Sequence, residues 1–463
     1  MAGEARAISI EELIASGAIV AHKDGNYGSS YPRVEEFGLE GVPFLTAKSL
    51  REGYVDIAGA PRLGDARADE LTFGFVQTDD VLLSHNATIG RVAVVPQHKG
   101  RLLVGTSLTY FRLNPEKLLP RYLAVYFAGA EFQNQLVAVM SHSTRNQVPV
   151  TAQRKLHVVV PPLAEQKAIA AVLGALDDKI ELNRRMNATL EAMARALFQS
   201  WFVDFDPVRA KLDGRKPAGL NPVTAALFPD SFQNSAVGPI PRGWKVGALD
   251  ELTKFVIGGD WGAAGPTDDE TVSCYCIRGA DIPSLQSGGV GKMPTRFLKQ
   301  SSVEKRQLAD GDLAIEISGG SPTQCTGRPV LASDALLQSL GQPLVASNFC
   351  RIVKLRSPAL SKFVYLWLRR LYDAGELFQF ETGTTGIKNF AFVIFSERYP
   401  IVVPDLRIAE AFDRAVSPFF ARIQANSQES RTHATLRDTL LPKLLSGELS
   451  VAETEKTAGR KSQ

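Results

Sequence analysis

The sequence predicts two α/β (α+β) domains in tandem, separated by two long antiparallel coiled-coil helices and related by an internal pseudo-twofold repeat. Three observations predict this. A repeat recurs at a spacing of about 240 residues. Two long segments carry almost no Gly or Pro punctuation. Within those segments, apolar residues step alternately by four and three positions, the period of a coiled-coil seam rather than of one buried face.

The repeat is plainest where the long segments begin. HVVVPPLAEQKAIAAVLGALDDKIELN, residues 157–183, has its counterpart in PIVVPDLRIAEAFDRAVSPFFARIQAN, residues 400–426. Pro161 matches Pro404, Leu163 matches Leu406, Ile180 matches Ile423, Asn183 matches Asn426, and Leu197 matches Leu440. Upstream the match is looser. The run from Phe44 to Leu50 sits where Cys276 to Ile282 sits later, Asp80-Val81-Leu82-Leu83 resembles Asp312-Leu313-Ala314-Ile315, and residues 141–149 parallel residues 382–390. The order is therefore domain, helix, domain, helix. The expected boundaries are residues 1–160, a first domain; 161–208, a central helix; 209–243, a Pro-, Gly- and Asn-rich linker; 244–404, a second domain; 405–450, a C-terminal helix; and 451–463, a small polar tail expected to be disordered.

Each long segment follows a β-like run ending in proline, Val160-Pro161-Pro162 or Val403-Pro404-Asp405. The first seam runs through Ile169, Leu173, Leu176, Ile180, Asn183, Asn187, Leu190, Ala194, Leu197 and Trp201. The second runs through Phe412, Val416, Phe419, Ile423, Asn426, Ser430, His433, Arg437, Leu440 and Leu444, with a more polar middle. Gly174 and Pro418 are positions where the helices are expected to weaken or bend. Asn183 and Asn426 occupy equivalent notches. A buried polar residue there sets register, because a slip leaves its amide unpaired; the other reading is that both face water. Two similar long helices in one chain pair most easily with each other. At 35–40 residues each they would be about 55 Å long, enough to serve half-sites on successive major-groove faces about 34 Å apart.

Composition narrows the class without naming it. The chain has 463 residues, 44% hydrophobic and 22% charged, as in an ordinary soluble protein of two or three domains. Its apolar runs are short for a bilayer, and its first residues hold acids and no apolar signal core, so a cytoplasmic location with no membrane contact is expected. Cys274, Cys276, Cys325 and Cys350 lack the spacing of a zinc site or a disulfide framework and read as reduced thiols. A net charge of +3 is weak support for nucleic-acid binding.

Longer runs carry a resemblance. NRRMNATLEAMARALFQSWFVDFDPV (183–208), FPDSFQNSAVGPIPRGWKVGALDEL (228–252), LLPKLLSGELSV (440–451) and VVPPLAEQKAI (159–169) resemble the DNA specificity subunits of type I restriction-modification systems. The resemblance implies that each domain is a target-recognition domain reading one half of a split double-stranded DNA site. It implies that the helices act as a ruler and as the docking surface for two methyltransferase (modification) subunits, joined by restriction/translocase subunits. It also implies that S-adenosylmethionine, ATP and Mg reside on those partners, with adenine N6 as the methylated atom and no cofactor or catalytic residue in this chain.

The residues agree in what they lack. Asn221-Pro222-Val223-Thr224 misses the second proline and the aromatic of a methyltransferase loop. Gly288-Gly289-Val290-Gly291 is a glycine turn, not a nucleotide fingerprint, and no Walker A run occurs. Asp310, Asp312 and Glu316 have Ser318 where a nuclease would want lysine, and they read as turn acids, as do Asp204 and Asp206. For DNA contact, loops with side chains able to reach base edges and phosphates stand out. The first holds Ser84, His85, Asn86, Thr88 and Arg91, and the second Ser143, Thr144, Arg145, Asn146 and Gln147. The later counterpart holds Thr384, Thr385, Lys388 and Asn389, with 319–324 a weaker one. Lys48 and Arg278, in the matched segments, read equally as structural or DNA-facing. Two rival functions stay open: a methyltransferase or nuclease with divergent motifs, and a coiled-coil adaptor without DNA readout.

Overall fold

The structure is a computed structural model describing residues 6–51, 53–141, 146–319, 324–383, 387–446 and 448–449. The 451–463 tail lies outside the described residues. The chain divides into two compact units, one formed by Met1–Leu182 with Ser430–Gln463 and the other by Asn183–Glu429. The boundaries thus fall inside the long helices, Leu163–Phe202 and Leu406–Leu445, and each unit takes part of both.

The two units repeat one topology. In the first, a four-stranded antiparallel sheet has the order Val92–Val94, Val81–Ser84, Leu108–Leu113, Ile19–Asp24. In the second, the order is Pro329–Leu331, Leu313–Glu316, Cys350–Leu355, Thr253–Gly258, again antiparallel. Val42–Leu45 pairs in parallel with Leu102–Val104, and so does Val272–Ile277 with Leu344–Ala346. The strand leading into each long helix, His157–Val160 or Ile401–Val403, pairs antiparallel with Arg6–Ser9 or Lys245–Gly247 respectively. The central strands are buried on both faces, with Val81, Leu82 and Leu83 all at zero exposure, which is why they read as unbroken apolar runs rather than alternating ones.

The long helices begin just after the Pro161-Pro162 and Pro404-Asp405 steps, where a missing amide hydrogen costs nothing. Each runs 40 residues without a break at Gly174 or Pro418. The seam serves both units. Ile169, Ala170 and Leu173 enter the first unit's core with Leu441 and Leu444. Ala194, Phe198, Trp201 and Phe202 enter the second's with Phe412 and Val416, where the Phe202 and Phe412 rings meet edge-on at 4.9 Å. The 209–243 segment is folded into that core rather than loose. Phe228 and Ile240 are buried there beside Val208, and the segment contains the helix Pro222–Leu227 and a small hairpin. Its Pro and Gly residues mark turns between short packed pieces.

Candidate nucleic-acid interface

In the first unit, the strand Val81–Ser84 delivers the chain into the loop that follows. Val148 N–H donates to the His85 carbonyl at 2.9 Å, Asn86 and Gln147 form a β-bridge, and Asn146 Nδ2 donates to the Ala87 carbonyl at 3.2 Å. Two loops distant in sequence thereby become one surface. The second unit repeats the arrangement: Phe390 N–H donates to Ile317 at 2.8 Å, and Ser318 pairs with Asn389, whose Oδ1 accepts from Ser318 Oγ at 2.9 Å. Asn86 with Gln147 therefore corresponds to Ser318 with Asn389. The shared frame presents different side chains.

Not every expected residue faces outward. Ser84 and His85 are both fully buried. Ser84 Oγ accepts the Arg91 amide at 2.8 Å, and His85 Nδ1 lies 3.1 Å from the Val148 carbonyl. Burial pushes the His85 imidazole pKa down. These two residues shape the base of the loop and are corrected from contact residues to supports; a polar run cannot reveal which of its members turn inward. Arg91 is exposed, yet its Nη1 donates to the Ala47 and Leu50 carbonyls, both at 3.0 Å. Arg328 makes the equivalent contact to the Gly279 carbonyl at 2.9 Å.

Asn86 and Gln147 are part-exposed, and Thr88, Asn146 and Asn389 are exposed. Lys388 is partly spoken for, with Nζ 2.8 Å from Glu381 and 4.9 Å from the Phe378 ring centroid. Ser143, Thr144, Arg145, Thr384 and Thr385 lie outside the described residues, as do 320–323 of the weaker loop. Lys48 is exposed, whereas Arg278 is held by Asp281 at 2.9 Å.

Sequence reading missed Ser318, although counting from the Asp80 and Asp312 match leads to it. It also missed Phe349, which is 51% exposed and whose carbonyl accepts the Ile317 amide beside the same loops. No local pattern marks that turn.

The acids are structural. Glu316 pairs with buried Arg328 at 2.6 Å, Asp312 pairs with Lys354 at 2.9 Å, Asp310 accepts the Asp334 amide at 2.9 Å, and Asp206 accepts from Ser200 Oγ at 2.7 Å. All four cysteines are free and buried, and burial pushes the Cys276 thiol up to about 12. Among the described residues, no group of three or more His, Cys, Asp or Glu could hold a metal ion, and no helix is long and apolar enough to cross a membrane.

In the second unit, the helix seam carries a polar cluster. Asn183 Nδ2 donates to the Asn426 carbonyl at 3.2 Å and to Glu429 at 3.0 Å. Asn426 Nδ2 donates to Asn187 Oδ1 at 2.9 Å, and Asn187 Nδ2 donates to the Ile423 carbonyl and Ser427 Oγ. As numbering rises on one helix it falls on the other, so the pair is antiparallel. All three asparagines are buried, at 3%, 8% and 0% exposure for Asn183, Asn187 and Asn426.

One sheet repeated with its paired polar loops, on two long helices that run through both copies, defines a duplicated architecture. Residues 44–192 match the family model described as the type I restriction modification DNA specificity domain. The specificity subunit of the type I restriction enzyme HindI from Haemophilus influenzae is 25% identical over 400 residues, 78% of this chain and 84% of that one. The MjaIX specificity subunit from Methanocaldococcus jannaschii is 24% identical over 434 residues, 92% and 91%. A solved S subunit from M. genitalium aligns over 95% of both chains at 13% identity, with a TM-score of 0.49. Over these stretches the chain is similar to the specificity subunits of type I restriction enzymes.

Proposed function

We infer that this chain reads a bipartite DNA sequence for a type I complex, one half-site per unit, and docks two methyltransferase subunits together with the restriction/translocase subunits. The observation that carries the reading is the same pairing of two polar loops in both units with different side chains at the tip: Asn86 and Gln147 in one, Ser318 and Asn389 in the other. Asn and Gln can read adenine bidentately, while hydroxyls serve phosphate and single base-edge contacts. The chain is a specificity component and not itself the enzyme. S-adenosylmethionine, ATP and Mg would act on the partner subunits, which would methylate adenine N6 and cleave unmodified DNA.

The test is a pair of loop variants in the intact system, read by single-molecule sequencing of methylated adenine. Asn86→Ala with Gln147→Ala should change or relax the bases of one half-site and leave the other as it was. Ser318→Ala with Asn389→Ala should do the reverse. If each double variant altered both halves, or neither, the assignment of one half-site to each unit would fall.

A further inference from the structure

Beside Gln147, the first unit has an open cleft whose rim carries Lys23, Asn26, Thr151 and Arg154. Lys23 comes from the edge strand Ile19–Asp24, and Arg154 follows the short helix Val150–Gln153. Both are exposed, and neither side chain makes a hydrogen bond or ion pair with another of the described residues. That sets them apart from Arg91, Arg112 and Arg328, which are tied into the fold. Asp24 is the cleft's one acid; its Oδ1 accepts the Asn26 amide at 3.3 Å and its Oδ2 lies 3.9 Å from His85 Nε2. His22 lines the floor at 7% exposure, and its Nδ1 has no hydrogen-bond partner.

We propose that this cleft holds a backbone phosphate of the bound duplex, with Lys23 and Arg154 as its cations and Asn26 and Thr151 as neutral donors. The proposal rests on the DNA-reading function inferred above and adds to it the contact that seats the first unit on its half-site. Two free cations against one carboxylate leave the rim net positive, which suits phosphate oxygens more than the neutral edge of a base. Gln147 sits on the same rim and bridges to Asn86, so the anion site is continuous with the surface proposed to read bases. The second unit differs at one of these two cations. Lys23 pairs with Tyr110 and Ile257 pairs with Ile352 at the matching strand positions, so an isoleucine stands where the lysine does.

The experiment compares the wild-type complex, assembled with its methyltransferase partners, with a K23Q/R154Q complex. Binding is measured across a salt series on a cognate duplex and on one with the first half-site scrambled. The double variant should bind both duplexes more weakly by the same factor, roughly tenfold at low salt. Its slope of log affinity against log salt should be shallower by about 0.9, the share of one phosphate. The charge-retaining K23R/R154K complex should keep the wild-type slope. An unchanged slope, or a loss confined to the cognate duplex, would overturn the phosphate site. If the wild-type complex showed no preference between the duplexes, the reading function would fail instead, and the slopes would still decide the cleft.

Discussion

Asp80 and Asp312 perform one task twice. Asp80 accepts the Gln77 amide at 2.8 Å and pairs with Arg112 at 2.7 Å, while Asp312 accepts the Ala309 amide at 2.8 Å and pairs with Lys354 at 2.9 Å. The match of the two aspartates was legible in the sequence; their cationic partners, reached only across the sheet, were not. Nearby, Glu316 and Arg328 are both nearly buried and bonded through two contacts, at 2.6 and 2.8 Å. Arg328→Ala should therefore cost about 3–5 kcal/mol, since it strands a buried carboxylate; denaturant titration of the second unit's signal would check this, and a loss below 1 kcal/mol would refute it. His22 supplies a pH effect. Its ring stacks on Phe111 at 4.6 Å, and burial depresses its pKa from 6.5 to about 4. The unfolded chain takes up a proton below about 6.5 that the folded chain refuses until about 4, so this stabilisation is complete above pH 6.5 and drains away between the two values. His85, depressed in the same direction, adds to the slope. His22→Gln should flatten the fall in melting temperature across that window, and an unaltered profile would show that His22 is not its source.

At the scale of elements, the alternating steps of four and three located both long helices, and the asparagines were visible as notches in the seam. Which amide meets which group could not be read. Asn426 bonds the Asn187 side chain, whereas Asn183 reaches the Asn426 backbone and Glu429. These partners depend on the axial offset between the helices, which the period alone leaves open. The consequence is an asymmetry. Asn187→Ala alone removes the buried hydrogen bond that Asn187 Oδ1 accepts from Asn426 and should cost about 1–3 kcal/mol. Replacing Asn187 and Asn426 together by leucine should be close to neutral or stabilising, because no donor is then stranded. A double-mutant cycle in denaturant settles this, and additive losses would argue against direct coupling.

For the whole molecule, the repeat makes the helices a shared property of two units rather than appendages of either. A length change in one helix must therefore be matched in its antiparallel partner. Seven residues inserted after Asn187, with seven inserted at the facing Ile423, keep the heptad phase and lengthen the pair by about 10 Å, or roughly three base pairs. If the helices act as a ruler, methylome sequencing should show the gap between half-sites widened with the bases of each half unchanged. Four-residue insertions at the same points shift the seam and should abolish methylation. An unaltered gap in the seven-residue variant would end the ruler reading.

The sequence by itself determined the duplication and the two helices with their seams, because these are carried by periodicity and by local order along the chain. The tertiary structure alone decided the rest. It turned Ser84 and His85 inward, tied Arg91 to the Ala47 and Leu50 carbonyls, packed residues 209–243 into a core, and set Lys23 and Arg154 on one rim with Gln147. Each of these outcomes depends on which distant strand or turn arrives alongside, and burial and pairing across such distances leave no imprint on neighbouring residues.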